Sequence, residues 1–374
     1  MKEFKISQIC EVISGGTPST KIVSYWGGDI IWLTPKDLSS NTSKWISKSI
    51  NTITQEGLNN SSAQLIPKDA VLLSSRAPIG YLALAATQLC TNQGFKSMVC
   101  NKNIILPEYL YYLLQTKVED LNNISTGSTF KELSASLLKN FKINVHDMVD
   151  QQHIVDILGS IDDKIENNEK IIASLEQQIH CIFIKFYQSL SETSTVGKEF
   201  ICALGGTPKT SVPEYWDGDV NWINSGEVNK LRITKASKKI TKLGMEKSAT
   251  KLLPKGTTVI AITGATLGQV SLLEIDTCAN QSVIGIYSEK FGRDFIYPLI
   301  THHINDLVSK QTGGAQQHIN MNDVKTLNIK IPSATKYIDY SKTIKPFFDK
   351  QTQLCYEIEK LKDLKQLYLK KFFG

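Results

Sequence analysis

The chain has 374 residues, of which 41% are hydrophobic and 21% charged, and its net charge is +6. That balance excludes a disordered or fibrous protein, and the length predicts two or three domains at about 100–200 residues each. A mildly basic total permits nucleic-acid binding without requiring it, and only Arg76, Arg232 and Arg293 among the basic residues are arginines.

No apolar run approaches the ~20 residues that cross a bilayer. The N-terminal MKEFKISQICEVISGG lacks the apolar stretch and cleavage site of a signal peptide. A cytoplasmic location without membrane attachment is therefore expected. The seven cysteines are scattered singly, with no CxxC pair, and read as buried free thiols.

In chain order, a Gly15-Gly16-Thr17-Pro18 turn leads to Tyr25-Trp26, Gly28-Asp29 and Trp32. VLLSSRAPIGYLALAA (71–86) predicts strands joined by a tight turn, and LPEYLYYLLQT (106–116) a short amphipathic helix. A long helix follows, and then the order begins again. Gly205-Gly206-Thr207-Pro208, Tyr215-Trp216, Gly218-Asp219 and Trp222 return at an offset of 190. Pro67-Lys68 matches Pro254-Lys255, Gly80 matches Gly268, Asn92-Gln93 matches Asn280-Gln281, and Thr126-Gly127 matches Thr312-Gly313. TVIAITGATLGQVSLL and FIYPLITHHINDLV supply the second strands and helix, and the offset drifts to 186. So many ordered matches define a tandem duplication. In this alignment Arg76 corresponds to Gly264.

Each half closes on a helix with apolar residues alternately four and three apart. The first seam is Ile154, Leu158, Ile161, Ile165, Asn168, Ile172, Leu175, Ile179, Ile182 and Phe186. The second runs through Tyr340, Ile344, Phe347, Gln351, Leu354, Ile358, Leu361, Lys365, Tyr368 and Phe372. Matching seams predict an antiparallel intramolecular coiled coil. Asn168 either fixes register or sits in a solvated stretch, and Lys365 is expected to snorkel outward. The predicted class is α+β: two mixed α/β domains separated by two long helices with pseudo-two-fold symmetry. The predicted segments are 1–150, 151–192, 193–333 and 334–374. A spacer with two similar heads suits DNA with two half-sites about 34–36 Å apart.

The ordered set GGTPS…YW.GDI.W, LIPKDAVLLSSRAPIG, TNQGF, STGST and QQHIVDILGSIDDKI resembles the specificity subunit of type I restriction–modification systems. The second half repeats it as GGTPKT…YWDGDVNW, LLPKGTTVIAITGATLG, ANQS and QTGGAQQ, so the resemblance covers nearly the whole chain. It implies a non-catalytic subunit with two target-recognition domains, each reading one part of a split, asymmetric DNA sequence. It also implies partners: two modification (methyltransferase) subunits and two restriction subunits. In the complex these would carry adenine-N6 methylation and ATP-dependent endonuclease activity, with S-adenosylmethionine, ATP and magnesium held by the partners and none by this chain. The second half departs from the pattern where YIDYSKTI stands for QQHIVDIL. The residues agree on catalysis, because no GxxxxGK[ST] loop, methyltransferase tetrapeptide, HExxH or paired-cysteine pattern is present. The rival reading is a coiled-coil scaffold that binds proteins only.

Candidate DNA contacts follow from side-chain chemistry. The GGTP glycines form turns where φ is positive or where backbone approaches phosphate. Thr17, Ser19, Thr20 and Lys21, with Thr207, Lys209 and Thr210, offer hydroxyls and ammoniums to phosphate oxygens. Gln93 and Gln281, beside Asn92 and Asn280, could read adenine or hold a turn. Arg76 is a phosphate clamp, a guanine reader or half of a surface ion pair. Ser128, Thr129 and Lys131, and their counterparts Gln316, Gln317 and His318, occupy polar loops suited to base edges. Lys235, Lys238, Lys239, Lys242, Lys247 and Lys251 form a basic stretch, either a solvated face or a backbone attractor. The four tryptophans Trp26, Trp32, Trp216 and Trp222 read as framework. No metal site is expected: His302 and His303 are adjacent and face different ways.

Overall fold

The computed structural model describes residues 1–76, 78–127, 131–309 and 318–374. Ser128, Thr129, Gln316 and Gln317 lie outside those residues. Two compact units divide the chain, one of Met1–Asn167 with Lys360–Gly374, the other Asn168–Glu359. The four sequence segments are thus apportioned differently, because each long helix contributes apolar residues to the core of a unit rather than standing apart.

The two units repeat each other strand for strand. In the first, a five-stranded sheet has the order Cys10–Ser14, Phe95–Cys100, Val71–Ser75, Ile79–Ala85, Trp45–Ile46. In the second the order is Ile201–Leu204, Val283–Tyr287, Thr258–Ala261, Val270–Leu273, Arg232–Ile233. A three-stranded sheet accompanies each, centred on Trp26–Leu33 or Trp216–Ile223. A two-stranded ribbon completes each unit, Lys2–Lys5 with Lys142–Val145 and Glu192–Thr195 with Asn328–Ile331. Both central strands of the hairpin are apolar on both faces, as buried strands require. Val71, Leu72 and Leu73 are fully buried, as are Val259 and Ile260.

The predicted helices form at Pro107–Gln115 and Arg293–Ser309, and the long ones at Met148–Gln188 and Ala334–Phe373. In the second unit the two helical stretches run antiparallel. Phe186 stacks on Tyr340 at 4.1 Å, while Gln351 donates to the carbonyl of Ile172 at 3.3 Å and to Glu176 at 2.9 Å. In the first unit Ile154, Val155 and Leu158 share a core with Leu369 and Phe373.

The middle of each seam is buried as expected: Ile154, Leu158, Ile161, Ile165, Asn168 and Ile172, with Ile344, Leu354 and Ile358. Leu175 and Leu361 are half-buried. Toward the C-terminal ends the buried face moves one residue on. Phe183 is fully buried and Tyr187 8% exposed, while Ile182 and Phe186 are only half-buried. In the second helix Leu369 and Phe373 are buried where Tyr368 and Phe372 are only half-buried, and nearer its start Phe348 is buried in place of Phe347. The direction of the shift has a physical cause. A 3.5-residue pattern on a straight 3.6-residue helix lags by about 20° per heptad, so a seam spaced by four replaces one spaced by three. Lys365 does not snorkel outward. Its Nζ lies 2.7 Å from Asp162 and over the Tyr112 ring at 5.3 Å.

All seven cysteines are free, but only Cys10, Cys90 and Cys278 are buried; Cys100, Cys202 and Cys355 are half-buried and Cys181 is exposed. His303 is fixed between the Tyr187 hydroxyl and Asp306, each 2.9 Å away, and the His302 ring packs on Tyr187, so this pair serves the core of the second unit.

Candidate nucleic-acid interface

The GGTP turn is a close crossing of chains. A Cβ on Gly15 would lie 2.0 Å from the Asn92 carbonyl oxygen, and one on Gly16 2.2 Å from the Ser62 carbonyl carbon. The second unit repeats this, with 2.1 Å from Gly205 to Asn280 and 2.5 Å from Gly206 to Thr250. None of the four glycines has positive φ, so lack of space rather than backbone conformation demands glycine here. Their amides also face inward: Gly16 donates to Thr91 at 2.9 Å and Gly206 to Ala279 at 2.8 Å.

The tryptophans lock this crossing. Trp32 Nε1 donates to Gly16 at 2.9 Å and Trp222 Nε1 to Gly206 at 3.1 Å. Trp26 reaches Ser19 and Trp216 reaches Lys209 through the same indole donor. Each pair meets edge to face, at 5.0 and 5.2 Å. The indoles are framework, as their recurrence suggests.

Around that frame several of the candidate residues are tied together into a ledge. The Thr17 hydroxyl donates to Gln93 Oε1, and Thr207 repeats the bond to Gln281 at 2.5 Å. Asn92 and Asn280 turn inward, accepting from the backbone of Gly94 and Ser282, while both glutamines stay exposed. The neighbouring backbone then bonds to the end of the hairpin strand: Ser75 N to Gly94 O at 2.7 Å, and Ile262 N to Ser282 O at 2.9 Å. Beyond it Arg76 bridges to Glu132 and Thr263 to His318. Leu133 N reaches Ser75 O at 2.9 Å, and Ile319 N reaches Ile262 O at 3.1 Å.

These bonds correct the alignment of the repeats. The counterpart of Arg76 is Thr263 rather than Gly264, because the offset changes by one residue within the hairpin turn. Arg76 is partly neutralised by Glu132, 3.9 Å from its guanidinium. Ser19, Thr20, Lys21, Lys131, Lys209, Thr210 and His318 are all exposed, and the Lys131 ammonium touches the Asn122 carbonyl at 3.3 Å. The six lysines from Lys235 to Lys251 are exposed as well, with Lys235 paired to Glu359 and Lys238 lying over Trp216.

Sequence reasoning missed Lys96, a 6%-exposed lysine whose Nζ lies 3.5 Å from Ser75 Oγ, beside Arg76. Its signal was present: an ammonium in the apolar strand FKSMVC, where the second copy has Ile284. The ledge offers hydroxyls, amides and cations to an acceptor-rich, anionic ligand. Among the described residues no three His, Cys, Asp or Glu side chains gather as a metal ion would require. No helix among them is long and apolar enough to cross a membrane.

The type I restriction modification DNA specificity domain matches the chain twice, over residues 1–177 and 197–368. The chain belongs to the type I restriction–modification DNA specificity family. Each match covers one copy of the repeat. Among specificity-family relatives, the type I restriction enzyme MjaIX specificity subunit of Methanocaldococcus jannaschii is 31% identical, over 99% of this chain and 92% of that one. The HindI specificity subunit of Haemophilus influenzae is 22% identical, over 72% of this chain and 77% of its own. The crystal structure of the S subunit from M. genitalium shares the fold at a TM-score of 0.61 and 15% identity, covering 100% of this chain and 96% of that one.

Proposed function

We propose that this specificity-family chain is the non-catalytic DNA-reading subunit of a cytoplasmic type I complex, with one half-site of a split target for each unit. The observation that carries the reading is the duplicated ledge. Its frame is the same in both units, down to the Thr17–Gln93 and Thr207–Gln281 bonds and the paired tryptophans. Its outward side chains differ: Ser19, Thr20 and Lys21 against Lys209, Thr210 and Ser211, and Arg76 against Thr263. A shared frame with unlike donors suits two unlike base sequences, since base-edge contacts specify and backbone contacts position. Ser128, Thr129, Gln316 and Gln317 belong to the same reading through their chemistry in the sequence.

In this reading double-stranded DNA is the ligand. Two modification subunits and two restriction subunits are the partners, and they bring S-adenosylmethionine, ATP and magnesium with adenine methylation and cleavage. The test is to co-express the chain with its cognate modification subunit in a methylation-free host and map modified adenines. A split motif that appears only with this chain is expected. A soluble complex that neither modifies nor binds DNA would sink the reading in favour of a protein-only scaffold.

A further inference from the structure

The strand Phe95–Cys100 lies inside its sheet, between Cys10–Ser14 and Val71–Ser75. Lys96 pairs there with Ser14 and Leu73, as Ile284 pairs with Leu204 and Ile260 in the second unit. Ile284 is fully buried in an apolar core, and Lys96 is 6% exposed. The frame is therefore satisfied by an apolar side chain, and the first unit places an ammonium there against the cost of desolvation.

That ammonium is poorly compensated. Its contacts are Ser75 Oγ at 3.5 Å and the Phe95 carbonyl at 3.4 Å, both at the long limit of a hydrogen bond. Among the described residues no carboxylate forms an ion pair with it. Burial pushes its pKa down, Glu132 pulls it back and the neighbouring Arg76 depresses it further. Glu132 is the nearby counter-charge, yet its side chain is 47% exposed and 3.9 Å from the Arg76 guanidinium. Two cations thus share one solvated carboxylate at the end of the sheet, next to exposed Gln93 and Lys131.

We propose that Lys96 and Arg76 form a paired-cation site for a DNA phosphate, through which the first unit grips the backbone beside its half-site. The inference rests on the DNA-reading function above. A DNA phosphate brings one negative charge, which together with Glu132 balances the two cations, and a neutral base edge brings none. The second unit, with Ile284 and Thr263 in these places, lacks the site.

The experiment measures DNA affinity against salt for the full chain assembled with its cognate modification subunits, on DNA carrying the split target. Wild type is compared with Lys96→Met and Lys96→Ile, the latter being the residue the second unit already accommodates. Loss of one phosphate contact reduces the salt slope by about 0.9, so the affinity lost between 50 and 200 mM salt shrinks by about 3.5-fold. The recognised sequence stays the same. Unchanged affinity and slope would make Lys96 a merely buried cation and overturn the site. A changed first half-site at unchanged slope would also overturn it, as a base contact. Wild type that binds no DNA defeats the DNA reading itself, whereas wild-type binding with indifferent variants defeats only this site.

Discussion

In the first unit Lys44 fastens a long helix through carboxylates that still meet water, whereas the second unit centres its fastening on a carboxylate sealed from it. Lys44 lies 3.2 Å from both Glu108 and Asp163, whose side chains are 31% and 71% exposed. Burial alone would depress Lys44, and the two carboxylates reverse that and raise its pKa. The second unit instead centres on Glu274, which is fully buried. It accepts from Arg293 at 2.8 Å and Thr352 at 2.6 Å, while its backbone carbonyl accepts from Tyr356 at 2.9 Å. Arg232 completes the cluster, its guanidinium over the Tyr297 ring at 4.7 Å and bonded to Gln351. At the matching positions the first unit has Trp45 and Ala86, which line a cavity of about 510 Å³. The strand order survives the exchange, so the backbone frame and the fastening of the helices are separable inventions of the sequence.

The largest effect expected from breaking that contrast is at Glu274. Removing one member of a buried ionic cluster strands its partners, at about 3–5 kcal/mol. Glu274→Ala should destabilise the protein by that amount in denaturant unfolding, where Lys44→Met costs about 1 kcal/mol because its partners remain solvated. Adding Arg232→Met to Glu274→Ala should recover part of the loss, since the stranded guanidinium is then gone. Equal losses at Glu274 and Lys44 would refute the distinction between sealed and wet fastening.

Next in size is the pair Phe347 and Phe348. Phe348 is fully buried, and its neighbour on the sequence seam is half-buried. Phe348→Ala should cost about 3–5 kcal/mol as a core truncation, and Phe347→Ala clearly less. The reverse order would restore the strict four-three seam.

The glycine crossing comes third. Gly15→Ala and Gly205→Ala each force a methyl group into a backbone carbonyl, and overpacking of this kind costs roughly 1–3 kcal/mol or more. Because both units share the crossing, the two losses should be similar in thermal unfolding. That equality separates the common frame from the unlike fastenings.

What was legible in the sequence divides along the same line. The repeat, the hairpin strands and the tryptophan–glycine frame announce themselves because they recur in order, and each recurrence has a local cause. The long helices announce themselves through spacing. Lys96, Arg232 and Glu274 stay silent because burial and partners come from residues far along the chain: Arg232 meets Gln351 and Glu274 meets Thr352. The ends of the seam mislead because a heptad pattern extrapolates at 3.5 residues per turn while the helix turns at 3.6. An ungapped comparison sets Arg76 against Gly264, because a one-residue change of offset inside a turn leaves no trace in it. The ledge itself was half-legible: its residues could be chosen by chemistry, but the bonds that join them could not.

The smallest expected effect has the opposite sign. Asn168 is fully buried in the second unit, and neither its Oδ1 nor its Nδ2 has a hydrogen-bond partner. A buried amide without partners carries a desolvation penalty of about 1–3 kcal/mol. Asn168→Leu should therefore stabilise the protein by about 1–2 kcal/mol in denaturant unfolding, since the neighbouring seam positions Ile165 and Ile172 are already apolar. If stability is gained and assembly with the modification subunits is unchanged, Asn168 is a tolerated flaw. If stability is gained but the chain forms new oligomers, the amide holds the helices to one pairing, as single polar residues do in coiled coils. A loss of stability would show that the amide is satisfied in solution, and would contradict the burial on which both alternatives stand.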